Sequence, residues 1–528
     1  MAIKGVIRVV GMAWLAANLV VAAQADVRNG SGREILLQGF HWNSSREPAP
    51  GWYARLEGQA RQIAEDGFTL IWMPPPWRDD SQWSDPQKGT SGGGEGYFWR
   101  DFDKNSRYGT DAQLKQAAKA LRASGVKVVY DVVPNHKAGS CDSLGAGGQG
   151  KPEQWCKAAA GKDDGDPFMA GDADLNLADD EVVGAFDRAF TDLRDNYYAD
   201  GLRFDYVRGY SAEHVMHWMG VFGDNRFCVG ELWKEPNGQD LLKSWSDASG
   251  CAVFDFALKD RMQNGGLSDW RDGLNGNPMA SWRAAAVTFV DNHDTGYSPG
   301  LYAGQHHWAL AEERRDQAYA YILSTPGTPT VYWPDMYAWP RGALIRELIR
   351  QRLRAGIRAD SPVSFSPRDD GRLISLTQGD KGSLLLALGE ELDAVPPGFE
   401  RVQQIKETSD PQQGASQQRV IRLWYTADRQ PWRIVAFSCN NGKTAVGESV
   451  YVVGSSPELG GWDPGKAVRL TNTLRYPDWK GHALVSGTGR IEWKCIVRSE
   501  QVPNDVKRWQ EGINNGLEAG AVEGVGTL

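Results

Sequence analysis

The 528-residue chain has few of the features that would assign it to several common classes of protein. It contains only 6 Cys and 8 His, and its 58 basic and 67 acidic side chains give a net charge of −9. No basic stripe runs along the chain, so nucleic acid is a poor candidate partner. A mean hydropathy of −0.49 excludes a multi-span membrane protein. No internal repeat is visible.

The N-terminal 25 residues have the order of a secretory signal peptide. Lys4 and Arg8 precede an apolar stretch at 9–22, which the small-residue motif Ala-Gln-Ala at 23–25 follows. The apolar stretch is too short for a typical membrane anchor. We therefore expect 1–25 to be cleaved and the protein to be secreted and extracellular.

Export makes the six cysteines interpretable as disulfides, although sequence alone leaves many pairings open. Nearest-neighbour pairing would close three local loops. The pairs are Cys141–Cys156, Cys228–Cys251 and Cys439–Cys495.

Tryptophan is unusually abundant, with 22 Trp against 17 Tyr and 16 Phe. Cores rarely favour Trp over Phe, because the indole N–H needs a hydrogen-bond partner. Large cores could account for the excess, but flat and partly polar rings also suit stacking on sugars.

Between residue 33 and about 355, short apolar runs alternate with longer amphipathic ones. This alternation predicts an α/β domain of the (β/α)8 TIM-barrel type, because parallel strands need long crossover connections. A doubly wound open sheet is the alternative, since periodicity does not show closure. The predicted strands are 34–39, 69–73, 126–133, 201–205, 227–231, 252–256, 285–291 and 328–332, and the predicted helices are 52–66, 111–124, 180–197, 309–323 and 342–355.

Changes in amino-acid composition along the sequence divide the chain into further segments. We expect the barrel at 26–356, with an inserted loop/β subdomain at 137–176, where a long Gly- and Asp-rich connection follows the third strand. Short β-like segments predict a C-terminal antiparallel β domain at 357–426, within which the Gln-, Pro- and Ser-rich stretch 395–418 reads as loop. A short linker at 427–432 leads to another β-rich module at 433–528.

Four successive predicted strand ends carry polar groups, and in a (β/α)8 enzyme these ends form the active-site rim. The segments are Asp131 to His136, Arg203-Phe-Asp205, Gly230-Glu231 and Asp291-Asn-His293-Asp294. Any one acidic residue could be an ordinary helix N-cap or ion-pair partner. All four segments together favour a catalytic site.

These segments resemble the motifs of the α-amylase family, glycoside hydrolase family 13. The matches are DVVPNH (131–136), GLRFDYVRG (201–209), VGELW (229–233) and FVDNHDTG (289–296), and GEGYFWRDF (94–102) supplies the family's tyrosine. Within the family, QGFHWN (38–43), GGGEGYFW (92–99), GDADLN (171–176) and GQHHWAL (304–310) are most similar to exo-acting bacterial members that release maltotetraose.

The resemblance implies a role for each matched residue. Asp205 would be the nucleophile of a retaining mechanism, Glu231 the acid/base and Asp294 the transition-state stabiliser, in keeping with the two carboxyls that retention requires. Arg203 would keep Asp205 ionised, because the two lie on one face of a strand. The substrate-binding residues would be Trp42, Trp83, Tyr97, His136, Asp172, Arg203 and His293.

The resemblance also implies one bound calcium ion, which would tie the insertion to the barrel. Its ligands would be the side chains of Asn135, Asp163, Asp166 and Asp174 with the carbonyl of Gly209, and hard oxygen donors of this kind suit Ca²⁺. An acidic, solvated loop is the simpler interpretation of the sequence DDGD. The segment 29–34 lacks the residues of a second N-terminal calcium site, and we predict none there.

The C-terminal module resembles the family 20 starch-binding modules, which are β-sandwiches. YVVGSSPELGGWDP (451–464), EWK (492–494) and RWQEGINN (508–515) carry this similarity. Trp462, Trp509, Lys494 and Asn514 would form one glucan platform, while Tyr451 and Trp479 would contribute to a second.

Taken together, the sequence predicts a secreted, calcium-binding, monomeric hydrolase of α-1,4-glucosidic bonds. Its partners would be starch, amylose, amylopectin and maltooligosaccharides, with no nucleic acid and no membrane, and its action would be exo, releasing maltotetraose. An endo-acting α-amylase with mixed products is one alternative. The family's common Lys-His pair is Arg208-Gly209 here, which removes typical leaving-side contacts but also resembles the tetraose-forming members. A non-catalytic glucan-binding protein on an amylase scaffold is the other.

Overall fold

The computed structural model describes residues 31–85, 90–138, 165–168, 174–223, 226–368, 371–389, 392, 395–407 and 419–528. Several predictions therefore lie outside the described residues: the signal peptide at 1–25, the Cys141–Cys156 pair, Asp163, Asp172 and most of the insertion 137–176. Among the described helices, none combines the length and the apolar character needed to cross a bilayer.

Eight parallel strands close into a barrel, each paired to its neighbours in chain order and the first paired to the last. Closure excludes the open doubly wound sheet. The strands are short and almost wholly buried, as expected where helices cover the outside. They are Leu36–Gln38, Leu70–Met73, Lys127–Val132, Ala199–Phe204, Phe227–Gly230, Ala252–Phe254, Ala286–Phe289 and Thr328–Tyr332.

Helices pack around these strands with their apolar stripes facing inward. The helix that begins at Asp111 shows how the sequence sets a boundary: Thr110 accepts from the backbone N–H of Gln113, whose side chain accepts from Thr110 N. The helices are Trp52–Glu65, Asp111–Ala123, Asp180–Asn196, Ala212–Phe222, Gln239–Ser249, Phe256–Asn264, Ala280–Ala285, Glu312–Ser324 and Gly342–Ala355.

Much of the tryptophan excess belongs to the cores. Seven indoles are less than 2% exposed: Trp52, Trp72, Trp77, Trp99, Trp218, Trp270 and Trp493. Large cores therefore account for a good part of the composition, and only some of the tryptophans remain for sugar stacking.

An antiparallel five-stranded sheet follows the barrel. Its strands are Val363–Phe365, Leu373–Gln378, Ser383–Leu388, Glu400–Glu407 and Arg419–Thr426. The prediction of loop throughout 395–418 is wrong, because Glu400–Glu407 forms the edge strand beside Arg419–Thr426. A register shift between Arg401 and Gln403 breaks the alternation that would have revealed this strand.

The C-terminal module consists of two β-sheets packed on each other. One sheet contains Asn472–Arg475, Asp478–Ser486, Trp432–Asn440 and Glu523–Thr527. The other contains Val468–Arg469, Glu448–Gly454, Ile491–Ser499, Val506–Trp509 and Asn515–Leu517.

Two of the predicted disulfides are formed. Cys228 of the fifth barrel strand pairs with Cys251, which immediately precedes the sixth, and Cys439 pairs with Cys495 across the two sheets of the module.

The module also packs directly on the domain before it. Trp432, Ile434 and Leu484 share one apolar cluster with Ile374 and Leu385 of the five-stranded sheet. The short segment 427–431 thus joins two packed bodies and is not a flexible tether.

Candidate active site

The predicted polar residues meet at the carboxyl ends of the barrel strands. Arg203 lies in the fourth strand and Asp205 directly follows it, while Glu231 follows the fifth strand. His293 and Asp294 come shortly after the seventh strand. The barrel topology therefore brings residues from distant parts of the sequence to one rim.

Arg203 is the electrostatic centre of this rim. Its Nη1 donates to Asp131 at 2.8 Å and to Asp205 at 2.6 Å, while its Nη2 lies 2.9 Å from Glu231 Oε1. The guanidinium is fully buried and rests over the ring of Trp72. One cation thus organises three buried carboxylates.

The carboxyl groups of Asp205 and Glu231 are close enough to affect each other's titration. Burial raises the pKa of Glu231 to about 7; the charge of Arg203 opposes this shift and that of Asp205 adds to it. Burial likewise raises the pKa of Asp205 to about 7, although the charge of Arg203 opposes this shift. Because Arg203 makes its aligned hydrogen bond to Asp205, the proton shared by the pair belongs on Glu231.

Asp294 lies beside His293, with 3.3 Å between Oδ2 and the imidazole Nε2. Gln38 Nε2 is 2.9 Å from the other ring nitrogen of His293. Burial, followed by the charge of Arg203, lowers the pKa of His293 well below its usual value. The imidazole is therefore neutral and can act as a hydrogen-bonding group toward a sugar.

Aromatic rings form one wall of the cleft. Tyr97 is nearly parallel to His293, with ring centroids 5.0 Å apart, and Trp42 is nearly parallel to both. The hydroxyl of Tyr97 donates to Asp131 at 2.8 Å, which fixes the ring. Flat, fixed aromatic surfaces of this kind suit the apolar face of a pyranose ring.

His136 stands on the other side of the cleft. Its ring stacks on Phe168 with centroids 3.9 Å apart, and Phe98 and Tyr206 pack nearby. Burial lowers the pKa of His136 to about 3, so this imidazole is also neutral.

Trp83, a predicted substrate-binding residue, begins the short strand Trp83–Asp85 in a hairpin after the second barrel strand.

These groups surround a cleft of about 770 Å³, which is large enough for several sugar units. Sequence reasoning missed Phe168, Trp233 and Trp308. Trp233 lines the cleft and stacks on Trp308, with centroids 5.9 Å apart. The cleft is lined by Trp42, Tyr97, Phe98, His136, Phe168, Asp205, Tyr206, Arg208, Glu231, Trp233, Lys234, Glu235, Asp294, Gln305 and His307.

The predicted calcium ligands fall into two groups. Asn135 donates to Asp174 Oδ1 at 2.9 Å, and a methyl group built on Gly209 would lie 2.1 Å from Asn135 Oδ1, so Asn135 is adjacent to both of the other residues. Asp166 instead accepts from Arg208 and Lys234 at 3.0 Å each. Among the described residues, no three side chains of His, Cys, Asp or Glu converge as a metal site.

The oxygen donors of Asn135, Asp174 and the Gly209 carbonyl still fit a hard cation. Asp174 is almost fully buried, and carboxylate, amide and carbonyl oxygens are the donors that Ca²⁺ takes in proteins.

Two residues of the first predicted glucan platform, Lys494 and Trp509, lie in neighbouring elements of one sheet of the starch-binding module, and Trp462 and Asn514 lie in turns outside its strands. Trp509 is 41% exposed, and Trp462 is presented by a left-handed turn beginning at Gly460. Lys494 donates to the carbonyls of Gln510 and Gly512, which orders the loop after Trp509. Asn514 donates to Glu492 at the edge of the same sheet.

The two residues of the predicted second platform, Tyr451 and Trp479, are both less than 10% exposed, and their role in glucan binding stays a prediction. Tyr451 packs with Val453 and Ile496, and the guanidinium of Arg498 lies over its ring. Trp479 is part of the module's core and donates its indole N–H to Gly442.

Comparisons with known sequences match three regions of the chain. Residues 60–158 match the α-amylase catalytic domain, residues 337–396 match domain C of glucan 1,4-α-maltotetraohydrolase, and residues 433–526 match a starch-binding domain. The structure also resembles gamma-CGTase from an alkalophilic Bacillus clarkii, with a TM-score of 0.55 over 94% of this chain and 98% of that one, at 17% identity. That likeness concerns the fold alone.

Two relatives are similar over nearly their whole length. The glucan 1,4-α-maltotetraohydrolase of Stutzerimonas stutzeri is 48% identical over 93% of this chain and 92% of its own. That of Roseateles saccharophilus is 46% identical over 94% of both chains. The chain therefore belongs to the α-amylase family, among the glucan 1,4-α-maltotetraohydrolases.

Proposed function

We propose that the protein hydrolyses α-1,4-glucosidic bonds of starch from non-reducing ends and releases maltotetraose. The observation that carries this proposal is the convergence of Asp205, Glu231 and Asp294 on one aromatic-walled cleft, with Arg203 bonded to the first of them. Family membership supports the substrate class. Intact catalytic carboxyls also argue against a non-catalytic glucan-binding protein.

In the proposed mechanism, ionised Asp205 attacks the anomeric carbon while protonated Glu231 delivers its proton to the departing oxygen. Asp294 binds hydroxyls of the distorted sugar, and His136, His293 and Tyr97 hold the same ring. Glu231, now ionised, takes a proton from the water that cleaves the glycosyl–enzyme bond. The product retains the α configuration.

We propose one structural calcium ion, held by Asn135, Asp174 and the carbonyl of Gly209 with the acidic residues of the insertion. It would tie the insertion to the barrel. We also propose that the barrel occupies 26–356, the C-terminal β domain 357–426 and the starch-binding module 433–528. The protein would act as a secreted monomer on starch and maltooligosaccharides.

A labelled substrate tests exo action directly. Maltoheptaose labelled at its reducing end should give unlabelled maltotetraose and labelled maltotriose at early times. A matched substrate with a blocked non-reducing end should be resistant. Cleavage of the blocked substrate at a comparable rate, or a broad ladder of labelled fragments, would indicate an endo-acting α-amylase instead.

A further inference from the structure

The loop from Asp291 to Leu310 supplies a large share of the cleft. It begins after the seventh barrel strand, carries His293, Asp294 and His307, and leads into the helix Glu312–Ser324. A loop of this length needs contacts of its own to hold a catalytic carboxylate in place.

Both ends of this loop are fastened to one buried carboxylate. Asp291 accepts from the hydroxyl of Thr295 at 3.0 Å and from the backbone N–H of Leu310 at 3.2 Å. Within the turn from Asp291 to Thr295, Asn292 Oδ1 accepts from the backbone N–H of Asp294 at 3.0 Å. The hydrogen bond from the Thr295 hydroxyl to Asp291 thus closes a turn that contains Asp294.

Two buried cations hold the charge of Asp291. Lys259 Nζ donates to Asp291 Oδ1 at 2.6 Å, and Arg315 Nη1 lies 2.9 Å from Oδ2. Arg315 also donates to Asp335 at 2.8 Å. All four charged groups are at most 2% exposed, and they form a buried quartet whose members depend on each other. Asp335 also accepts from Arg341 at 3.2 Å.

The quartet also reaches the cleft wall. The ammonium of Lys259 lies 5.6 Å from the ring centroid of Trp308, which stacks on Trp233 beside Glu231. The pair Lys259–Asp291 is therefore linked to the cleft in two places. Asp291 is bonded to the turn that carries Asp294, and Lys259 lies against the stacked pair Trp308 and Trp233.

We propose that Asp291 is a positioning residue for hydrolysis, which fixes Asp294 in the geometry that stabilises the transition state, and that Lys259 and Arg315 hold the Asp291 carboxylate in place. This inference rests on the role of Asp294 in the proposed function. Neither Asp291 nor Lys259 touches the substrate in this account; their effect passes through the loop.

Four variants test the inference in the full-length protein. Asp291→Asn keeps the shape of the side chain but halves its accepting oxygens. Lys259→Met removes the buried cation, and the double variant Lys259→Met/Asp291→Asn restores the charge balance. Arg352→Met is the control, because Arg352 is an equally buried cation that bonds the carbonyls of Thr325 and Gly327 before the eighth strand, at the opposite end of the barrel.

For Asp291→Asn we expect kcat on maltopentaose to fall about 10–100-fold while KM changes less than about threefold, as for a lost transition-state interaction. The inhibition constant of acarbose should rise in parallel with the loss of kcat/KM. Lys259→Met should lower both Tm and kcat. The double variant should recover Tm without recovering kcat, and Arg352→Met should lower Tm while keeping kcat.

Recovery of kcat together with Tm in the double variant would overturn the proposal, since it would mean that the quartet acts only through stability. An unchanged kcat in Asp291→Asn would overturn it as well. Asp294→Asn separates these outcomes from a failure of the proposed function: if that variant stays active, the assigned role of Asp294 is itself wrong.

Discussion

Arg203 makes an aligned 2.6 Å hydrogen bond to Asp205, whereas its contact with Glu231 is a 2.9 Å ion pair without hydrogen-bond alignment. Arg203 therefore stabilises the ionised form of Asp205 more than the ionised form of Glu231. The better bonded Asp205 carries the negative charge, and Glu231 carries the proton. In the proposed mechanism, this asymmetry and not the residue type distinguishes the nucleophile from the acid.

The asymmetry predicts an alkaline limb in the pH profile. Glu231 acts in its protonated form, and its pKa is raised by burial to about 7, so kcat/KM should fall as the pH rises through that value. Initial rates on maltopentaose from about pH 5 to 9 would measure this limb. A profile that stays flat across the alkaline range would contradict the assignment of Glu231 as the acid.

Substitution of the nucleophile gives the largest expected effect. Asp205→Asn should lower kcat by about 10⁴ or more, because it removes one member of a group that acts as a unit. Adsorption to starch granules should persist, since the starch-binding module is a separate domain. Rate measurements alongside a granule pull-down would separate the two properties, and activity near that of the parent protein would remove Asp205 from this role.

Why the barrel could be predicted is clear from its strands. Parallel strands are buried on both faces, so in the sequence they are short apolar runs such as Leu-Ile-Trp-Met at 70–73. The length of each run and its alternation with amphipathic helices suffice to find them. The edge strand Glu400–Glu407 was missed because edge position and a register shift leave it polar and irregular. Sequence reasoning therefore works best where burial is complete.

The sequence also predicts some residues of the site better than others. Motif similarity located Asp205, Glu231 and Asp294, but it could not tell which aromatic rings face a glucan. Tyr451 lies in the strand Glu448–Gly454, which packs on both faces, so alternation gives no outward side. The quartet around Asp291 was invisible for a different reason: its members come from four elements far apart in the chain.

Removal of calcium should affect stability and activity together. Asn135 and Gly209 belong to the barrel and Asp174 to the end of the insertion, so an ion shared by them would stabilise the folded form by linkage. A chelator should lower Tm and hydrolysis, and added Ca²⁺ should restore both. Asn135→Ala should abolish the response of Tm to Ca²⁺. The same melting curve with and without chelator would count against the site.

The starch-binding module should contribute adsorption and not chemistry. Trp509→Ala should weaken binding to raw granules by about 1–3 kcal/mol, by analogy with aromatic–base stacking. Hydrolysis of maltopentaose should remain nearly the same. A similar loss on granules and on maltopentaose would contradict a purely adsorptive role.

Product length is the property that the predicted end-recognition residues would control. An exo-acting enzyme must measure from the non-reducing end, so some group must meet the terminal sugar at a fixed distance from Asp205. The resemblance assigns this to Asp172 and Trp83; Asp172 lies two residues before Asp174, which contacts Asn135 at the barrel. A hydrogen bond to a charged group is worth roughly 1.5–3 kcal/mol, enough to set one register over its neighbours. Asp172→Ala should therefore leave bond cleavage intact but spread the products away from maltotetraose, and Asp172→Asn should show a smaller spread. Chromatography of early products from soluble starch would measure this, and maltotetraose of unchanged purity from Asp172→Ala would refute the role of that residue.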